Sequence, residues 1–224
     1  MKIKHALIMA AGRGMRMMPL TETIPKPMAP FMGSTLIANG INMLNNHIEN
    51  IHITVGYKGA MLAKHVIENN VSSIFNTEGH GNCFWVYNTL LKYLNEPIYV
   101  LTSDNVILLD FEKLETDYYS LGEPLCMVVP VKPIEGLDGD YIFSDESKQV
   151  KALSRDTRSE IYCSGIQIIN CKKINETTTP CENFDQLWQQ LISQSQLYCS
   201  RVYPNQWYAV DTVQQLEDLE NMLK

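Results

Sequence analysis

The chain has 224 residues, 45% of them apolar and 19% charged, which is enough to bury a sizeable core and too apolar for a disordered chain. Eighteen Lys and Arg against twenty-five Asp and Glu leave a formal charge of −7, which argues against a nucleic-acid partner held by phosphate neutralisation. The six cysteines make no CxxC pair and no zinc-like grouping with histidine, so they read as reduced thiols in a soluble, cytoplasmic protein with no secretion signal and no membrane partner.

The charge is uneven. Residues 1–64 carry seven basic side chains against two acidic ones, and the remaining 160 residues carry the acidic excess. A cationic first third in an acidic protein suits a small anionic ligand.

In chain order, residues 6–9 form a short apolar run ending at Ala10, Ala11 and Gly12, the pattern of a buried strand entering a turn. Leu36, Ile37, Gly40, Ile41 and Leu44 then recur at helical spacing, and residues 51–55 close a strand, helix, strand unit, hence a parallel pair. Residues 61–68 read as a helix, 73–75 as a strand, Tyr87, Leu90, Leu91 and Leu94 as one further helix, and 98–101 as a strand ending at Thr102, Ser103 and Asp104. This alternation predicts a doubly wound α/β sheet.

The second half is richer in strands: residues 125–131, a hairpin over 141–143 and 149–153, and 161–169. Phe184, Leu187, Trp188, Leu191 and Ile192 share one amphipathic face, and residues 197–202 return as a strand. Thr212 with Gln215 is a capping box opening a last helix through Val213, Leu216 and Leu219. Trp85, Trp188 and Met43 read as core. No linker is visible, so a single domain, 1–224, is expected: a mixed sheet with a β-rich elaboration in its second half.

Residues 7–28, LIMAAGRGMRMMPLTETIPKPM, carry the chemistry. Gly12, Gly14 and Arg16 follow directly on a strand, where glycines let backbone amides approach a triphosphate and an arginine pairs with its oxygens. The dinucleotide fingerprint is excluded because Met17 stands at its third glycine, and no Walker loop occurs. Lys26 lies between Pro25 and Pro27, which stiffen the segment and are expected to keep the lysine extended.

The ordered series Ala10, Gly12, Gly14, Arg16, Pro19, Leu20, Thr21, Pro25, Lys26, Pro27 resembles the signature of the nucleoside-diphosphate-sugar pyrophosphorylases, a nucleotidyltransferase family whose relatives include enzymes for phosphocholine and similar phosphoalcohols. Residues 55–59, Thr102 to Asp104, and Trp207 to Thr212 are similar to further segments of that family. The resemblance implies a Rossmann-like fold that condenses a nucleoside triphosphate with a phosphorylated sugar, giving an NDP-sugar for a surface glycan, and releasing pyrophosphate. A cytidylyltransferase for a phosphoalcohol such as phosphocholine is the alternative, and a catalytically idle nucleotide-binding subunit the second.

On that resemblance, Arg16 and Lys26 are the catalytic cations, and Ala10, Ala11, Gly12 and Gly14 hold the nucleotide. Gly81 and Asn82, in the segment GHGN with His80, stand where the family reads the base. Asp104 and Asp211 are the implied Mg²⁺ ligands, a pair that suits a cation held by one or two carboxylates plus substrate phosphates. Residues 1–105 form the nucleotide-binding part and 106–224 the acceptor-binding part. The family's Glu-Lys-Pro after the hairpin is absent, leaving Arg155 as the candidate for the acceptor's phosphate, while Gly165 matches a glycine beside the acceptor. Taken as the whole chain, 224 residues leave no room for the β-helix domain that some relatives append.

Overall fold

The computed structural model describes residues 2–134 and 139–224. The chain forms two compact units interleaved in sequence: one of Lys4–His80, Leu101–Leu108 and Gln206–Lys224, the other of Met1–Ile3, Gly81–Val100 and Leu109–Asn205.

In the first unit the strands His5–Ala10, Asn50–Val55 and Ser73–Asn76 pair in parallel, joined by the helices Leu36–Asn45 and Gly59–Ile67. Leu7, Ile8, Ile51 and Ile53 are buried, which explains the continuous apolar runs expected of parallel strands. Thr35 starts the first helix by accepting from the Ala38 N–H at 3.2 Å, and Leu36, Ile37, Ile41 and Leu44 form its buried face. A two-stranded antiparallel ribbon, Asn105–Leu108 with Gln206–Ala209, leads into the last helix, Val213–Leu223. Leu216 and Leu219 of that helix bury with Met17, Ala29, Phe31, Leu36 and Val210, so the Met-rich loop and the C-terminal helix share one core. Each of the larger side chains among them contributes about 1.5–3 kcal/mol by leaving water, and Ala29 less.

In the second unit Tyr162–Ile169 runs antiparallel to Cys126–Val131 and to the start of Ile98–Thr102, with Leu197–Cys199 parallel to Cys126–Val131. The hairpin Tyr141–Ser144 with Val150–Ser154 is present as expected. The unit also contains the helices Phe111–Ser120, Cys171–Thr177 and Phe184–Ser193, the first two capped by Asp110 and Asn170 and the third by a capping box from Asn183 to Gln186.

The mixed α/β class matches the sequence expectation. The single helix expected across Tyr87 to Leu94 is instead two pieces, Phe84–Asn88 and the 3-10 turn Leu90–Tyr93, because Thr89 is extended and its hydroxyl caps the second piece at Leu91. The strands Asn105–Leu108 and Gln206–Ala209 and the helices Phe111–Ser120 and Cys171–Thr177 were not anticipated. All six cysteines are free thiols, and burial pushes those of Cys126, Cys171 and Cys83 far above the usual thiol range. Among the described residues no helix is long and apolar enough to cross a membrane.

Candidate active site

The first strand delivers the chain into the loop Ala11 to Gly14, and two glycines shape that loop. Gly14 sits at φ +62°, and a Cβ there would stand 2.6 Å from the Lys26 Cβ. Gly56, at the end of the neighbouring strand, approaches so closely that a Cβ would lie 2.6 Å from the Ala11 carbonyl oxygen. The Tyr57 N–H donates to that same carbonyl at 3.1 Å, and the Ala10 N–H donates to the Thr54 hydroxyl at 3.2 Å. Gly12 has open space where its side chain would be. The loop is therefore pinned on its inner side and clear at Gly12.

Lys26 opens a 3-10 turn, Lys26–Met28, instead of lying extended; Pro27 fits the start of a turn, where its missing N–H is not needed. The turn closes through Ala29 N–H to the Lys26 carbonyl at 3.0 Å. The Lys26 side chain is only 10% exposed, and its Nζ donates to Asp104 Oδ2 at 2.9 Å and to Asp211 Oδ1 at 3.0 Å. Arg16, two-thirds exposed, reaches the same Asp211 oxygen at 3.0 Å.

The ribbon explains why the two carboxylates meet. Asp104 precedes one of its strands and Asp211 follows the other at the same end, with Asn105 opposite Ala209 and the Val210 N–H donating to the Asp104 carbonyl at 2.9 Å. Gln215 of the capping box then fixes Asp211 from behind, accepting from its N–H at 2.7 Å. Two carboxylates converging on one cation, here an ammonium, suit a Mg²⁺ held by two acids and substrate oxygens. Among the described residues no group of three His, Cys, Asp or Glu converges, so a full protein cage is absent there.

The other sequence candidates lie in the second unit. A Cβ at Gly81 would run into the Glu182 carbonyl, and the Gly81 N–H donates to the Glu182 carboxylate at 2.8 Å. Asn82 accepts from the Phe184 N–H at 2.9 Å and so steadies the start of the helix Phe184–Ser193. Gly165 occupies a break in strand register with φ +82°, a conformation that by itself calls for glycine. Arg155 is mostly exposed and pairs with Asp140 at 3.0 Å.

Arg155 also lines a cleft of about 580 Å³, with Asp140, Asp156, Asp185 and Trp188 among its walls. Trp188 is half-buried in that wall and not a core residue: its indole N–H donates to Gln167 at 3.0 Å and its ring stacks on Phe184 at 5.8 Å. Trp85, by contrast, is core as expected. Asp140 and Asp185 escaped the sequence reading, and the excess of acid over base in the second half was the one signal pointing to them; Trp188 was placed in the core.

The nucleotidyl transferase family model matches residues 5–154. A 65-residue stretch is 42% identical to the bifunctional protein GlmU of Methanococcus aeolicus, covering 29% of this chain and 16% of that protein. A 54-residue stretch is 48% identical to the 2-aminoethylphosphonate cytidylyltransferase of Lancefieldella rimae, covering 24% and 22%. The fold is similar to that of the CTP:phosphocholine cytidylyltransferase of Streptococcus pneumoniae, with a TM-score of 0.78 and 22% identity over 99% of this chain and 100% of that one. The matched stretches span less than a quarter of either curated relative.

Proposed function

The chain belongs to the nucleotidyl transferase family, and we propose that it transfers the nucleotidyl group of a nucleoside triphosphate to a phosphorylated small acceptor, releasing pyrophosphate. The observation that carries this reading is the convergence of Arg16, Lys26, Asp104 and Asp211 at the end of the first strand. An oxygen of the acceptor's phosphate forms a bond to the α-phosphorus, and the α–β anhydride bond breaks with its electron pair leaving on pyrophosphate. The attacking oxygen already carries negative charge, so no general base is needed, and none of the four residues has to serve as one. Arg16 and Lys26 offset the charge that builds on the phosphoryl oxygens, an effect worth about 10²–10³ in rate for one well-placed donor. Backbone amides of Ala11 to Gly14 orient the triphosphate, with Gly12 leaving room for close approach, while the Ala10 N–H is committed to Thr54 and only shapes the strand end. Asp104 and Asp211 would hold Mg²⁺, which when bound screens the triphosphate and stabilises the leaving pyrophosphate.

For the acceptor, the cleft in the second unit favours a phosphoalcohol or phosphonate with a positively charged head group. Asp140, Asp156 and Asp185 outnumber Arg155, which is already paired with Asp140, and an indole face attracts an ammonium by about 0.5–2 kcal/mol. The relatives named for 2-aminoethylphosphonate and phosphocholine act on acceptors of this kind and point to CTP as the first nucleotide to try. In this reading Arg155 and Gly165 stay on the acceptor side and Gly81 on the base side, while Asn82, expected to read the base, lines the acceptor cleft together with Arg155. The test is pyrophosphate release from CTP, UTP, GTP and dTTP, each with phosphocholine, 2-aminoethylphosphonate and glucose 1-phosphate. Release with the cationic acceptors supports the proposal. Release with glucose 1-phosphate alone would assign an NDP-sugar product, and release with none would leave a nucleotide-binding subunit.

A further inference from the structure

We propose that Lys26 is the resident counter-ion of the Asp104–Asp211 pair, and that a divalent cation must displace its ammonium, which then turns onto the triphosphate. The inference rests on the reading of Asp104 and Asp211 as metal ligands, and it adds a competition between two cations for the same oxygens.

Three observations carry it. Nζ lies 2.9 and 3.0 Å from one oxygen of each carboxylate, the point where a bridging cation would gain most. An ammonium and a divalent ion repel one another too strongly to share those oxygens at close range. The surroundings also require a cation at that point: the Asp104 and Asp211 side chains are 34% and 17% exposed, so the pair would otherwise face one another half-dehydrated. Arg16 cannot supply the charge for both, because it reaches Asp211 alone and is 67% exposed.

The root of Lys26 is fixed by the backbone, and its ammonium is held by the two carboxylates. The 3-10 turn holds its backbone, and the Gly14 backbone lies so close to its Cβ that no larger residue fits there. Only the stem's own rotations can carry Nζ away, and its attachment keeps it beside the loop of Gly12 and Gly14. A triphosphate arriving on that loop offers the displaced ammonium a new partner. Lys26 therefore makes metal binding depend on nucleotide, and the same event that seats the metal delivers a cation to the phosphates.

The test measures Mn²⁺ affinity without nucleotide, by the loss of the free-ion electron paramagnetic resonance signal, for wild type, Lys26→Met and Lys26→Gln. Gln keeps a polar stem that can hydrogen-bond the carboxylates, which guards against a Met variant that fails to fold. Both variants are expected to bind Mn²⁺ at least about tenfold more tightly than wild type, since a competing charge has been removed. Adding Asp104→Asn to either should abolish the gain. Equal or weaker binding by a folded variant, a gain that survives Asp104→Asn, or no binding by any form at millimolar Mn²⁺ each overturn the proposal. Turnover is not read, so failure to release pyrophosphate with any substrate and failure of this competition are separate results.

Discussion

Asp104 and Asp211 flank the same end of one two-stranded ribbon, and each places an oxygen within 3.0 Å of a single lysine nitrogen. The ribbon register, not any local feature of either residue, brings them together. Asp104→Ala is expected to lower pyrophosphate release at least about 10²-fold, the scale of losing a group that stabilises transition-state charge. The circular dichroism spectrum should stay native. Unchanged turnover in a coupled pyrophosphate assay would remove Asp104 from the reaction.

Gly14 and Gly56 set the shape of the loop by what they lack. Gly56→Ala puts a methyl 2.6 Å from the Ala11 carbonyl oxygen, a backbone atom that cannot step aside. We expect a loss of about 1–3 kcal/mol, the range for overpacking, read as a lower urea midpoint, together with weaker nucleotide binding. Gly12→Ala meets open space, so its stability should change by less than about 1 kcal/mol.

Much of this loop was legible in the sequence because its residues are close together and each glycine or proline has a local reason to be there. The carboxylate pair was nominated by resemblance, but its geometry was not legible. The strands that join it have four residues each, Asn105–Leu108 and Gln206–Ala209, too short for a clear alternation, and their pairing spans half the chain. The helix Phe111–Ser120 was hidden for a different reason: its buried face includes Glu115 and Asp117, which a hydrophobic pattern counts as surface. Both are satisfied by distant partners, Glu115 by the Ile3 N–H at 3.0 Å and Asp117 by Ser200 at 2.7 Å and Arg201 at 2.8 Å. Trp188 shares its helical face with Phe184 and Leu191, so spacing alone placed it in the core; the Gln167 that fixes it beside the cleft is remote in sequence.

The cleft makes a prediction about acceptor choice. Asp185→Asn and Trp188→Leu should raise KM for a cationic acceptor by about tenfold each, the loss of one charge contact or one cation–π contact, with little change in KM for nucleotide. Steady-state kinetics with phosphocholine and with glucose 1-phosphate would separate the cases. An equal effect on both acceptors would mean the cleft does not read the positive charge.

The first unit also holds one pH-sensitive histidine, His52. His52 is buried in its strand, accepts or donates to His5 at 3.1 Å and to the Ser73 hydroxyl at 2.7 Å, and burial, aided by repulsion from His5, pushes its pKa from 6.5 down to about 4. Below pH 6.5 the unfolded chain gains a proton that the folded chain refuses, so stability is full above that value and falls as pH drops toward 4. At 1.36 kcal/mol per unit, the largest loss is about 3 kcal/mol. Urea midpoints measured across that interval should fall more steeply for wild type than for His52→Gln; parallel slopes would contradict this assignment.

The most direct measurement is pyrophosphate release from CTP and phosphocholine with Mg²⁺, for wild type beside Lys26→Met and Asp104→Ala. The wild type is expected to release pyrophosphate, and each variant to lose about 10²-fold or more of that rate while remaining folded. Wild-type turnover preserved in both variants would contradict the account, because the reaction would then proceed without the cation and the carboxylate on which it rests.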